Sequence, residues 1–231
     1  MKKNNLFIFT LIISIGFSCS GGGSNNGLSD NNNAVCIWDN VSLKESPEES
    51  GKWLSSISIG ETTTYLDKSK EDKSGKKRIT YINVKLKDGK EGWVQSDFVI
   101  VNSKAAAIIE NSEMYSRPDL LNKTGKSFSK MDIIAVKSEK DGFIEVAGKR
   151  KDGKWIEMGW LKSKSVTYSD VDIAVAKFAS KALEISDLNK RYEAINEILN
   201  NSDFSGSIFL SSLPKKEIGK EEIVSDTVKV E

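Results

Sequence analysis

The sequence predicts a mainly β protein with a C-terminal α segment: two small β-barrels in tandem, followed by a helix or helical hairpin. Three observations carry this reading. "GWVQSDFV" at 92–99 returns as "GWLKSKSV" at 159–166, with Gly, Trp, an aliphatic residue, Ser and Val at the same five offsets. The segments between turns alternate apolar and polar residues with period two. After Val166 the apolar spacing changes to that of a helix.

The 231 residues leave room for one large or two small domains. Residues 1–18 read as a signal peptide: Lys2 and Lys3, an apolar run from Leu6 to Phe17, then small residues. The run is too short for a spanning helix, which needs ~20 apolar residues. Gly16-Phe17-Ser18-Cys19 resembles the lipobox of bacterial lipoproteins, with Gly where Leu is usual. That resemblance implies a Cys19 that is acylated and becomes the new N-terminus. Secretion with an incidental Cys is the alternative. Residues 19–33 are a Gly- and Asn-rich tether with too little apolar surface to fold. Several acyl chains on one Cys anchor far better than one. Cys36 then has no intramolecular disulfide partner. It reads as a buried small hydrophobe, with an intermolecular bond or a reactive thiol as the alternatives.

Two units follow, at 34–101 and 104–167. "VSLKESP" at 41–47 aligns with "SEMYSRP" at 112–118 at an offset of 71. The same offset pairs Ile57 with Phe128, Glu61 with Asp132 and Tyr65 with Val136, and falls to 67 at the GW phrase. Insertions placed in loops, with the apolar anchors in step, indicate a duplicated fold. Asp67–Arg78 reads as a long charged loop and Lys137–Gly142 as its shorter counterpart. Asp-Gly pairs at 88–89 and 152–153 are turn signals. In "ITYINVKL", 79–86, the set Thr80, Ile82, Val84 and Leu86 is the apolar face. A partly open five-stranded barrel fits each unit of about 65 residues.

The opening strands "SLKESP" and "EMYSRP", the middle strands "SIGETTTYL" and "SKMDIIAVK", and the closing GWV or GWL together resemble tandem bacterial Src-homology-3-like (SH3b) domains. The resemblance covers about 35–166, and the Arg-x-Gly-Pro often found in the family's opening does not occur. It implies a binding function: peptidoglycan or a protein partner held along a shallow groove. Candidate ligand-binding aromatics are Trp53, Tyr65, Tyr115 and Trp155, with Trp93 and Trp160 as core residues of the barrel ends or ligand contacts. The clusters Lys76, Lys77, Arg78 and Lys149, Arg150, Lys151 sit in equivalent-looking loops and read as solvated charge or contacts to an anionic polymer.

From Ala174 to Leu199, steps of three and four link Phe178, Ala182, Ile185, Leu188, Tyr192 and Ile195. Ser169 or Asp170 caps the start, and Ser186-Asp187 offers a second start, so 169–201 is one helix or two. The stripe packs on the second barrel, or pairs with a second copy or a partner helix. Residues 202–231 hold a short edge strand or docking segment, "SIFLSSL" at 207–213, and a loose charged tail.

The chemistry points away from catalysis. There is no His, which removes His-based triads and the commonest metal ligand. HExxH, CxxC, P-loop and GxSxG patterns do not occur. The 34 basic and 33 acidic residues nearly cancel, which argues against a nucleic-acid partner. The expectation is a non-enzymatic lipoprotein of the cell envelope without cofactor or metal, anchored in membrane lipid through Cys19. An outer membrane or the cell surface suits it better than an inner membrane. It would bind peptidoglycan or an envelope protein; the alternative is a structural, self-associating protein working through its helical segment.

Overall fold

Left-handed residues mark the turns between strands and, at Asp67 and Gly125, irregularities within them. Asn40, Asp67, Asn102, Met131 and Asp141 have positive φ, as do Gly60, Gly89, Gly125 and Gly142. The computed structural model describes residues 32–215 except Lys76. The expected signal peptide, Cys19, nearly all of the expected tether and the tail beyond 215 lie outside the described residues.

The first sheet contains β1 (Asn33–Cys36), β2 (Val41–Lys44), β3 (Trp53–Ile57), β4 (Thr62–Asp72), β5 (Ile79–Lys85), β6 (Glu91–Gln95) and β7 (Val99–Val101). The second contains β8 (Lys104–Ile108), β9 (Ser112–Tyr115), β10 (Lys123–Phe128), β11 (Ile133–Lys140), β12 (Phe143–Lys149), β13 (Ile156–Lys162) and β14 (Val166–Thr167). The strand orders are β3-β2-β6-β5-β4-β1-β7 and β10-β9-β13-β12-β11-β8-β14. Adding seven to each strand number of the first order gives the second, so the two sheets have one topology. The second curves into a half-barrel.

The repeat extends to individual bonds. Val41 pairs with Ile57, and Ser112 with Phe128, 71 residues on. Ser58 N–H donates to the Glu61 carboxylate at 3.0 Å, and Ser129 N–H to the Asp132 carboxylate at 2.8 Å. The left-handed residue of this turn is Gly60 in the first sheet (φ 78°) and Met131 in the second (φ 71°). The repeated acid is therefore a turn-closing acceptor.

Seven strands per sheet exceed the expected five. The additions are the pairs β1–β7 and β8–β14, which join the start of each unit to the Val that ends the GW phrase. Much of each expected charged loop is also strand: β4 runs to Asp72 and β11 to Lys140, so the hairpins turn later than the charge suggests. Charge on an exposed ribbon and charge in a loop look alike in one dimension.

Each sheet has its own core. Leu43, Ile57, Ile82, Val84 and Val94 pack in the first, and Met114, Phe128, Ile134, Ile144, Val146 and Leu161 in the second. Cys36 lies in the first core and is a free thiol. Burial pushes its pKa up to about 12, against a weaker opposing hydrogen bond to the Trp38 carbonyl. It is packed as a small hydrophobe and held as the unreactive thiol.

The helical stretch is two helices, α1 (Asp170–Leu183) and α2 (Leu188–Asn200). Ser169 caps the first and Asp187 the second, each accepting a backbone N–H with its side chain. The buried face is rotated from the predicted stripe. Ile173, Val175, Ala176, Ala179 and Ala182 face inward against Ala107 and Ile133, while Phe178 and Leu188 are exposed. Small residues at 176, 179 and 182 let α1 sit close on the sheet, and a stripe chosen by side-chain size misses that face. None of the helices among the described residues is long and apolar enough to cross a membrane.

Residues 207–213 form a docking segment with no strand: Phe209 and Leu213 are buried against the helices. Asp172 holds it there. Its buried carboxylate accepts from Ser207 Oγ at 2.8 Å, Ile208 N–H at 3.0 Å and Thr167 Oγ1 at 2.8 Å. The two sheets and α1 also pack directly on one another. Val35 and Ile37 of the first meet Ala135 and Ala147 of the second in a small shared core. A Cβ on Gly60 would lie 3.0 Å from Ile173 of α1 and 3.2 Å from Ile133 of β11.

Candidate binding site

The repeated tryptophans occupy matching positions. Trp93 in β6 lies between Asn83 of β5 and Lys44 of β2, and Trp160 in β13 lies between Glu145 of β12 and Tyr115 of β9. Each is half-buried. Their neighbours Gly92 and Val94, and Gly159 and Leu161, are buried and point the other way, since strand side chains alternate. Trp93 and Trp160 therefore lie on the face opposite each core, which corrects the expectation that they fill it.

The preceding glycines have a definite role. A Cβ on Gly92 would meet the Lys44 carbonyl at 2.7 Å and Leu43 Cγ at 2.8 Å. A Cβ on Gly159 would meet Met114 Cγ at 2.6 Å and the Tyr115 carbonyl at 3.0 Å. In both sheets the phrase needs Gly because the second strand of the unit crosses it closely.

Directly paired residues on adjacent strands share a face, with Cβ atoms ~5 Å apart. Lys44 pairs with Trp93 on β6 and, across a register shift that skips Leu54, with Trp53 on β3, so a row Trp53–Lys44–Trp93–Asn83 crosses the first sheet. Trp53 is 60% exposed. Its indole N–H donates to Ser56 Oγ at 3.3 Å. Lys44 Nζ donates to the carbonyls of Glu48 and Glu49 in the β2–β3 loop. Asn83 is fixed by donating to the Gly92 carbonyl at 2.9 Å. The row offers an open indole, a cation and a second indole on a braced support.

The matching row of the second sheet is Lys123–Tyr115–Trp160–Glu145. It is closed: Tyr115 is 4% exposed and packs edge-on against Phe143 at 5.4 Å. Its charges pair internally, Lys123 with Glu113 at 2.7 Å and Glu145 with Lys137 at 2.9 Å. The hydrogen bond from Lys137 outweighs partial burial and holds the Glu145 carboxyl below its ordinary value.

The six candidate aromatics do not gather in one groove. Trp53 and Trp93 share the open row. Tyr65 packs against the first core, and Tyr115 and Trp160 share the closed row. Trp155 stands 77% exposed in the β12–β13 connection. The basic clusters are not equivalent either. Lys77 and Arg78 lie between β4 and β5. Lys149 ends β12, and Arg150 and Lys151 follow it towards β13, the counterpart of the β5–β6 turn. Lys76 lies outside the described residues. Sequence reasoning missed Lys44, whose place beside two indoles depends on pairings 9 and 49 residues away.

Among the described residues, no group of three or more His, Cys, Asp or Glu is placed to hold a metal ion. No protein-family model and no curated protein matches the sequence. Among solved structures, the chain is similar to NlpC2 from Trichomonas vaginalis at 12% identity, over 66% of this chain and 55% of that one, with a TM-score of 0.25. NlpC1 from the same organism matches at 11% identity, over 65% and 53%, also with a TM-score of 0.25. The chain thus spans about half the length of each of these two proteins.

Proposed function

We propose that the chain is a membrane-anchored, non-catalytic binding lipoprotein of the bacterial cell envelope. Its two sheets act as SH3-like domains, the first of them recognising cell-wall material. The observation that carries this reading is the open Trp53–Lys44–Trp93 row. Indole faces suit sugar rings and peptide side chains, and the lysine between them suits a carboxylate. Identical strand order in the two sheets supports a duplicated module whose second copy has filled its row and become support. An acylated Cys19 would hold this face off an outer membrane or cell surface on its tether.

The test is co-sedimentation of the full lipoprotein, in detergent, with purified peptidoglycan. The wild type is expected in the pellet, and Trp53→Ala is expected to lose at least about tenfold in retention. Wild-type protein left in the supernatant, or a Trp53→Ala variant that pellets equally, overturns the wall reading and leaves an envelope protein as the candidate ligand.

One observation favours a second reading, self-association through the helical segment. An apolar groove of about 330 Å³ lies between α1 and α2, lined by Phe178, Ile185, Ala194, Ile198 and Phe204. Sedimentation velocity of the full chain decides it: a dimer that Phe178→Ser dissolves supports this reading, and a monomer removes it.

A further inference from the structure

We propose that the cleft where the two sheets meet α1 is a second binding site, for a compact oxyanion carried on an apolar or ring-bearing stem. The cleft measures about 270 Å³, room for a phosphate or carboxylate with a small ring. Its walls come from five places in the chain. They are the β1–β2 turn with Trp38 and Asp39, the β3–β4 turn with Ile59, the β10–β11 turn with Asp132, the end of β12 and the connection after it with Lys149–Lys151, and α1 with Lys177 and Lys181. A site assembled from both sheets and the helix exists only in the packed molecule.

The charges separate into used and unused. Five cations line the cleft (Lys149, Arg150, Lys151, Lys177 and Lys181) against three carboxylates (Asp39, Asp132 and Glu184). Lys181 is paired with Asp39 at 2.9 Å. Arg150 is held by Glu157 at 2.9 Å and Asp152 at 2.8 Å. Lys149 Nζ sits 4.5 Å above the Trp38 ring. Lys151 and Lys177 have no carboxylate within ion-pair distance among the described residues.

Of the two remaining acids, Glu184 lines the α1 side of the cleft and Asp132 is already engaged. Asp132 is turned to the Ser129 N–H at 2.8 Å, and burial raises its pKa against weaker opposing pulls from that bond and from Lys151. An incoming anion meets the Lys151 ammonium, which has no carboxylate partner among the described residues, and the Lys177 ammonium, which lies 5.8 Å from the Phe178 ring, with Lys149 close by. The partly exposed Trp38 and Ile59 form the apolar wall that takes the stem. Trp38 is braced by Phe98 at 5.5 Å and capped by the Lys149 ammonium, so the stem meets the part of its ring that these two leave uncovered.

This site deepens the wall-binding reading only as to where the anion comes from: a phosphate of an anionic wall polymer or a carboxylate of a wall peptide. The experiment is calorimetric titration of the full chain in detergent with phenyl phosphate, benzoate and neutral phenol. Binding of phenyl phosphate or benzoate, and weak or no binding of phenol, is expected. Whichever acid binds more tightly identifies the source. Lys151→Glu and Lys177→Glu should each weaken binding by about tenfold or more, since each reverses a charge beside the anion. Lys190→Glu, on α2 outside the cleft, should leave it unchanged. If Lys177→Glu fails to fold, Lys177→Gln should still weaken binding by about threefold. Equal binding of phenol, no binding of either acid, or full affinity in both glutamate variants overturns the proposal. These outcomes are independent of peptidoglycan retention, which reads the Trp53 row.

Discussion

Replacing the glycine of the GW phrase by alanine in each sheet should give unequal costs, and the inequality follows from the two strands that cross it. At Gly92 the new methyl would stand 2.7 Å from the Lys44 carbonyl and 2.8 Å from the branched Leu43 Cγ. Neither can rotate away, because the carbonyl is backbone and Leu43 is fully buried. β2 must retreat by several tenths of an ångström, which costs about 2–3 kcal/mol of overpacking. Alanine returns about 0.5–1 kcal/mol by restricting the unfolded chain. The net loss is about 2 kcal/mol. At Gly159 the close atoms are Met114 Cγ at 2.6 Å and Sδ at 2.7 Å, with the backbone carbonyl of Tyr115 at 3.0 Å. Met114 is also buried, but its unbranched thioether repacks more readily than a leucine, so the net loss is smaller, about 1 kcal/mol. Urea unfolding of the two variants reads the difference. With a slope of about 2 kcal/mol/M, Gly92→Ala should shift the midpoint down by about 1 M and Gly159→Ala by about half that or less. A Gly159→Ala variant as damaged as Gly92→Ala, or two neutral variants, would refute the crossing-strand account.

Two further expectations concern buried groups. Asp172→Ala removes the acceptor shared by Ser207, Ile208 and Thr167 and leaves an unpaired N–H. It should cost about 2–3 kcal/mol and speed proteolysis within 207–213, whereas unchanged cleavage there would show that Phe209 alone holds the segment. Cys36 has its pKa raised from 9.0 to about 12 in the folded state. The folded state keeps the proton that the unfolded state loses, so its contribution to stability is complete below pH 9 and is lost as the pH rises towards 12. Iodoacetamide at about pH 8, below the ordinary thiol pKa, should leave Cys36 unmodified in native protein and modify it in urea; native modification would contradict its burial.

The duplication is readable in the sequence because it rests on anchors that burial enforces. Ile57 and Phe128, Val41 and Ser112, and the acids of the two turns keep their spacing. Helix starts are readable too, since Ser169 and Asp187 cap by a local bond. What stays hidden is what tertiary contact decides. The face of α1 depends on Ala107 and Ile133 leaving room for alanines, and the period alone does not choose between adjacent faces. Tyr81 shows the same limit: alternation places it on the polar face of β5, and it is fully buried. Of the proposed binding row, two tryptophans are legible as candidates, whereas Lys44 and the difference between an open and a closed row come from strand register.

The most direct test of the account uses the five tryptophans as reporters. Fluorotryptophan-labelled full chain, titrated with soluble peptidoglycan fragments, should give five fluorine signals, from Trp38, Trp53, Trp93, Trp155 and Trp160. The open row predicts that Trp53 and Trp93 shift together, while Trp160, in the closed row, stays fixed. Five stationary signals, or a shift of Trp160 without Trp53, would contradict it.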